Sequence, residues 1–132
     1  MSQPHTIRLN GPWEMIAGLP DEPERVHLPK GWPQVVAAAQ EGPVVLQRWF
    51  HRPTGIDDGS RVDLVLADLP FSGSVSVNET SLGRFTPHAK HDLRIEADLT
   101  TRCCLTISAD RPGELAAKIP TPQVSLAIHP PG

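Results

Sequence analysis

The chain has 132 residues, of which 39% are hydrophobic and 20% are charged, and its formal net charge is −3. This balance predicts one soluble domain over residues 1–132, large enough to bury a core without disulfide bonds. Lys and Arg are scattered, which argues against nucleic acid as a partner. No apolar run approaches the roughly 18 residues of a membrane span. MSQPHTIRLNG at the N-terminus has no apolar signal region, so we expect a cytoplasmic protein, although a chain trimmed of its leader would look the same.

Short strands separated by turns are predicted along most of the chain. Apolar and polar residues alternate with a period of two, as in half-buried strands. The predicted strands cover residues 6–9 with a continuation through 13–17, 26–28, 44–51, 61–67, 74–78, 92–99, 102–109 and 124–128. One short helix is predicted over 33–40, because Pro33 suits a first helical turn and Gly42 a stop. Residues 110–113 read as a turn and 129–132 as an extended tail. About eight short strands at this spacing predict an all-β sandwich or barrel of antiparallel strands.

The two cysteines, Cys103 and Cys104, are adjacent. Neighbouring side chains of a strand point to opposite faces, so we expect no bond between them. Cys103 shares a face with Leu105 and Ile107, which predicts a core position. The pair reads as two free thiols in a reducing compartment. The alternative is a redox switch, which would need an accessible, electropositive setting.

The order of several short segments carries a further signal. These segments are LNGPWEM (9–15), VHLP (26–29), QRWFHRP (47–53), RVDLVL (61–66), SVSVNETSLG (74–83), DLRIEADLT (92–100) and LTI (105–107). In this order, over residues 6–109, the chain resembles the N-terminal sugar-binding domain of glycoside hydrolase family two, which includes β-galactosidases, β-glucuronidases and β-mannosidases. The resemblance implies a galactose-binding-domain-like jelly-roll β-sandwich. It implies no enzymatic activity, because the family's catalytic glutamates belong to a separate barrel that has no counterpart here.

The chain departs from the family pattern at Glu79, which stands where the family has Gly after Asn78. A type I′ turn requires positive φ at both central residues, which disfavours a side chain there. We therefore expect a longer loop through Thr80 and Ser81.

Carboxylates and histidines offer weak candidates for chemistry. Asp21-Glu22, Asp57-Asp58 and Glu79 lie in predicted turns, where acids are usually solvated or cap the turn, and a glycosidase needs two closely facing acids. His88 and His91 have metal-ligand spacing only if helical, and no Cys/His set has zinc spacing. No cofactor is therefore predicted. Jelly-roll carbohydrate modules often hold structural calcium, for which Asp57, Asp58 and Asp110 could supply oxygen ligands.

Aromatic and polar loop residues are the binding candidates. Sugars stack apolar faces on aromatic rings and need polar partners for their hydroxyls. Trp32, in a Gly-Trp-Pro loop, is expected to be exposed, whereas Trp13 and Trp49 at strand positions are expected in the core. The polar candidates cluster around one predicted connection, which otherwise is a solvated loop end. They are Asn78, Glu79, Arg84, His88 and His91.

These features predict a non-catalytic carbohydrate-binding module, whose partner is a carbohydrate or a glycosidase-like protein chain. A structural or protein-interaction module without sugar affinity is the second hypothesis. An enzyme with an unrecognised site is the third.

Overall fold

The computed structural model describes residues 5–17, 23–53, 56, 59–87, 89–112 and 122–129. Within these ranges ten strands, one α-helix and one 3₁₀ helix follow one another along the chain. The helix α1 (Trp32–Glu41) follows β3, and the 3₁₀ helix (Glu96–Asp98) separates β8 from β9. The strands are β1 (His5–Arg8), β2 (Gly11–Ala17), β3 (Glu24–Leu28), β4 (Val44–His51), β5 (Arg61–Ala67), β6 (Phe71–Val77), β7 (Thr80–Phe85), β8 (Lys90–Arg94), β9 (Arg102–Pro112) and β10 (Gln123–His129).

The strands form two antiparallel sheets. One sheet has four strands in the order β1-β10-β5-β8, and the other has six in the order β3-β2-β4-β9-β6-β7. Neighbours in each sheet come from distant parts of the sequence, such as β1 with β10 and β4 with β9. The fold is therefore an antiparallel β-sandwich of the jelly-roll type, as the sequence predicts.

The inner faces of both sheets are apolar because alternate residues of each strand turn inward. Val62, Leu64 and Leu66 of β5 are buried from one side of the sandwich, and Leu105 and Ile107 of β9 from the other. A continuous cluster of buried side chains joins the two sheets. The predicted alternation is confirmed. Cys103 is buried, Cys104 is half-buried on the other face, and both are free thiols.

The predicted helix is confirmed with slightly wider bounds. Pro33 lies in its first turn and Gly42 follows its end. Val35 and Ala39 face the core, and the helix packs on β9, β2 and β4. Among the described residues, no helix has the length and apolar character that crossing a membrane requires.

Several predicted boundaries are wrong. β7 (Thr80–Phe85) was not predicted, and it makes residues 71–85 a hairpin. The strand predicted over 92–99 ends at Arg94, because the chain turns into the 3₁₀ helix and Ile95 enters the core. The predicted turn at 110–113 is strand as far as Pro112, where Phe71 pairs with it. His129, expected in a tail, is the last residue of β10 and pairs with Arg61 of β5.

The hairpin turn between β6 and β7 is tighter than predicted. Val77 pairs directly with Thr80, so only Asn78 and Glu79 form the loop. Both have positive φ, 51° and 72°, which is the signature of a type I′ turn. The expected longer loop is therefore wrong, since the ladder on either side holds Glu79 in a left-handed conformation.

Candidate functional site

Trp32, predicted to be exposed for binding, is buried. It begins α1, and its side chain is 5% exposed. Its ring lies 6.3 Å from the ring of Phe71, which in turn packs edge-on against Phe85 at 5.9 Å. The Gly-Trp-Pro loop therefore delivers Trp32 into the core, where it anchors the helix to the six-stranded sheet.

Asn78 has a structural role at the hairpin turn. Its Nδ2 donates to the Asp98 carbonyl at 2.9 Å and to Thr100 Oγ1 at 3.1 Å. Its Oδ1 accepts from the Cys104 backbone N–H at 2.9 Å. These bonds use the polar atoms of the amide to tie the hairpin tip to the start of β9.

The remaining polar candidates do not gather at one place. Glu79 is exposed at the hairpin tip, whereas Arg84 lies across from Ser74 near the far end of β7. Thr80, next to Glu79, and Arg84 are four residue steps apart along β7, which corresponds to roughly 13 Å. His91 lies in β8, in the other sheet, where its Nε2 accepts from the Thr86 backbone N–H at 3.2 Å. His88 lies outside the described residues. Ligand binding by any of these residues stays a prediction.

Trp49 is the exposed aromatic side chain that the sequence interpretation placed in the core. Its exposed fraction is 49%, whereas Trp13 is buried as predicted and donates from Nε1 to the Leu9 carbonyl at 2.9 Å. The cause is alternation in β4: Leu46 and Phe50 turn inward, so Trp49 must turn outward. That same alternation, read strictly, could have predicted its exposure.

The outer face around Trp49 is polar and positively charged on one side. The Arg102 guanidinium carbon lies 4.3 Å from the centroid of the Trp49 ring, within cation–π range. Cys104 pairs with Trp49 across the ladder, and Gln47, two residues away on the same face, pairs with Glu14 and Thr106. Trp49 is thus an apolar plate set in a surface of hydrogen-bonding groups.

Two hollows flank Trp49. The larger, which we call the basic hollow, opens between β1 and β10 of one sheet and the end of β4 in the other. Its volume is about 360 Å³. Its lining is Ile7, Arg8, Leu9, Arg48, Trp49, Phe50, His51, Pro53 and Leu126. The smaller, the mixed hollow, has a volume of about 190 Å³ on the outer face of β2, β3 and β4. Its lining is Pro12, Trp13, Glu14, Arg25, Gln47, Arg48 and Trp49.

Arg48 lines both hollows and hydrogen-bonds the backbone on either side of them. Its Nε and Nη2 donate to the Asn10 carbonyl at 3.1 and 2.8 Å, and its Nη1 donates to the Trp49 carbonyl at 3.1 Å. These bonds fix the loop between β1 and β2 against β4. Partial burial lowers the pKa of the Arg48 guanidinium from its ordinary value, yet an arginine remains charged at any physiological pH.

The buried acid of the described residues is engaged by basic neighbours. Asp63 is the buried carboxylate in the described part of the chain; its Oδ1 accepts from Arg61 Nε at 3.0 Å, and its Oδ2 lies 3.4 Å from His129 Nε2. Retaining enzymes need a second carboxyl about 5 Å away. Within the described ranges, no group of three or more His, Cys, Asp or Glu could hold a metal ion. Asp21, Glu22, Asp57 and Asp58, and the side chain of Asp110, lie outside what the structure describes.

Comparison with solved structures relates this fold to β-glucuronidases. The Dictyoglomus thermophilum enzyme matches with a TM-score of 0.75 and 12% identity, over 98% of this chain and 29% of that one. The Bacteroides uniformis enzyme matches with a TM-score of 0.73 and 18% identity, over 97% and 18%. A Bifidobacterium dentium enzyme, solved in complex with coumarin-3-O-glucuronide, matches with a TM-score of 0.71 and 16% identity, over 98% and 30%.

The chain therefore resembles a domain of family-two glycoside hydrolases, as its segment order indicates. At these identities the likeness concerns the fold. The chain spans between 18% and 32% of the length of the structures that it matches. No protein-family model matches it. No curated protein matches it either.

Proposed function

We propose that this chain is a non-catalytic carbohydrate-binding module of the family-two glycoside hydrolase type, with Trp49 as its sugar-stacking platform. The observation that carries the proposal is the half-exposed Trp49 ring between two hollows. Arg102 lies over one face of the Trp49 ring. A pyranose ring has an apolar face that can lie on the other face of the indole, and the hollows on each side can receive its neighbours.

The polar surroundings of Trp49 supply what sugar hydroxyls require. Glu14 accepts hydrogen bonds, Gln47 both accepts and donates, and Arg25 donates. All three line the mixed hollow beside Trp49. A few such groups around an apolar surface are typical of small-molecule sites.

Two observations support the absence of catalysis. The buried carboxylate of the described residues, Asp63, is engaged by Arg61. The chain corresponds to less than a third of most of the enzymes whose fold it shares, for example 18% of the Bacteroides uniformis enzyme. The rest of each of those enzymes is long enough to form a separate catalytic domain.

The test is titration of the purified chain with neutral oligosaccharides built from galactose, glucose and mannose, and with acidic oligosaccharides built from their uronic acids. We expect at least one to bind with a Kd in the micromolar to millimolar range, with quenching of the Trp49 emission. Trp49→Ala should abolish binding, and Trp49→Phe should retain part of it because a ring remains. The control Lys90→Gln alters an exposed residue of β8, at an edge of the four-stranded sheet.

Absence of binding across all these sugars would overturn the proposal. Turnover of nitrophenyl glycosides by the purified chain would overturn its non-catalytic part.

A second candidate function is docking on a separate glycosidase-like chain. It is favoured by the same length comparison: in the β-glucuronidases described above this fold is one part of a longer chain, of which it covers 18% to 30%. Co-purification with a stoichiometric protein partner, together with silence in every sugar titration, would favour docking over sugar binding.

A further inference from the structure

We infer that the basic hollow receives the anionic group of an acidic saccharide, a carboxylate or a sulfate carried by a sugar adjoining the one stacked on Trp49. This inference rests on the proposed function and specifies its ligand. It starts from the lining of the hollow: among the described residues that form it, Arg8, Arg48 and His51 are the ionisable ones and none is a carboxylate.

The charge of this hollow is not neutralised locally. In the described part of the chain, ion pairs join Arg61, Arg94 and His129 to acids, among others, and none includes Arg8, Arg48 or Arg102. Arg102, over the Trp49 ring, adds a further positive charge nearby. The chain as a whole carries −3, so this hollow is a positive site on a mildly acidic protein.

The walls of the hollow strengthen the field inside it. Leu9, Phe50 and Leu126 are buried apolar residues that line it. A concave surface with low-dielectric walls focuses the potential of its charges, and charge-assisted hydrogen bonds to an anion are stronger there than in open solvent. Arg8 and His51 are exposed and offer N–H donors, whereas Arg48 supplies charge while three of its N–H groups hold backbone carbonyls.

The mixed hollow differs from the basic hollow in its charge. It lies on the other side of Trp49, and Glu14 and Arg25 pair across β2 and β3 within it. Its opposite charges offset each other, which suits a neutral sugar. A saccharide lying across Trp49 would therefore place its uncharged part towards Glu14 and its anionic group towards Arg8.

A matched pair of ligands tests the inference. Tetragalacturonate and its methyl ester share the same rings and linkages, but the ester lacks the charges. By calorimetric titration in low salt we expect the acid to bind at least about tenfold more tightly than the ester, with the difference shrinking as salt rises. Sodium sulfate and sodium acetate, compared as competitors at equal ionic strength, distinguish sulfate from carboxylate as the preferred anion.

Variants locate the effect. Arg8→Gln and His51→Gln change exposed side chains of the basic hollow, and each should reduce the preference for the acid while leaving the affinity for the ester unchanged. Lys90→Gln removes the same charge from β8, at the opposite edge of the four-stranded sheet from β1, and should leave the preference intact. Far-UV circular dichroism and the urea midpoint confirm that each variant is folded.

Equal affinity for the acid and the ester would overturn the inference while leaving the proposed function standing. A preference that survives both Arg8→Gln and His51→Gln would also overturn it, because the charge would then act elsewhere. Binding of neither ligand, together with silence in the neutral titrations, would overturn the proposed function as well.

Discussion

Asn78 and Cys104 exchange a pair of hydrogen bonds between the hairpin tip and β9. The Asn78 backbone N–H donates to the Cys104 carbonyl at 3.0 Å, and the Cys104 backbone N–H donates to Asn78 Oδ1 at 2.9 Å. The side chain thus continues the ladder where the backbone of the turn can no longer do so. An exposed binding role for this amide would require breaking these bonds.

Replacing Asn78 should therefore destabilise the fold. Asn78→Ala removes three side-chain hydrogen bonds and leaves the Cys104 N–H without its partner, at a cost of about 2–3 kcal/mol. Asn also tolerates the positive φ of this position better than Ala does. The free energy of unfolding in urea measures the loss. Thr80→Ala, at the next exposed strand position, is the control and should change stability by less than about 0.5 kcal/mol.

Glu79→Gly should stabilise the protein. Glu79 has φ 72°, and the left-handed region costs a non-glycine residue about 1–2 kcal/mol. Glycine removes that cost but gives the unfolded chain more freedom, worth about 0.4–1 kcal/mol, so we expect a net gain between about 0 and 1.6 kcal/mol. Glu79→Ala removes the charge but keeps the strain and should be close to neutral. Equal effects of the two substitutions would show that charge, not backbone conformation, is responsible.

Truncation of Trp32 should cost much more stability than truncation of Trp49. Trp32→Ala opens a cavity between α1 and Phe71 and should cost about 3–5 kcal/mol of stability. Trp49→Ala should change the free energy of unfolding by about 1 kcal/mol or less, because half of its surface is already in water. Thermal and urea unfolding of both variants tests this. A large loss of stability in Trp49→Ala would mean that the ring is a packing residue rather than a platform.

The Arg94–Glu96 pair should make stability depend on pH in the acid range. Burial acts to raise the pKa of the Glu96 carboxyl, but the hydrogen bonds and charge of Arg94 and nearby backbone N–H groups outweigh it, so the pKa is lowered. The native state therefore binds fewer protons than the unfolded state. The contribution is fully present above the unfolded pKa of about 4.3 and is lost as pH falls through the lower folded pKa.

The size of this contribution is modest, because the Arg94 side chain is 65% exposed and screened by solvent. We expect about 0.2–1 kcal/mol, the range of exposed ion pairs. Glu96→Gln should lose stability at pH 7 and show a flatter pH dependence below pH 5 in urea unfolding. Glu24→Gln removes the same charge at an exposed position of β3 and should retain the slope of the original protein.

Period-two alternation explains why so much of the fold could be predicted. It correctly assigns the faces of β5 and separates Cys103 from Cys104, because these strands are half-buried and local order decides which side chains turn inward. It fails at Ile95, where the chain leaves the sheet although the apolar spacing continues. β7 is not predicted from the sequence, because Gly83, Arg84 and the exposed residues before them show no alternation of apolar and polar side chains. Pairing with β6 makes them a strand.

The candidate site could not be predicted in the same way. Exposure of Trp32 was inferred from the turn-forming residues beside it, but its burial depends on Phe71, a residue distant in sequence. Trp49 is predicted in the core because it occupies a strand position, although the alternation of β4 places it on the outer face. The basic hollow beside it is formed by β1, β4 and β10, and no local motif indicates that these strands meet.

The adjacent thiols have a practical consequence. Cys103 is fully enclosed, whereas Cys104 lies on the outer face directly across the ladder from Trp49. An alkylating reagent should therefore mark one sulfur in the intact molecule and the other when β9 comes away. The chain carries its own pair of labels, one for occupancy near the indole and one for opening of the sandwich, without any engineered substitution.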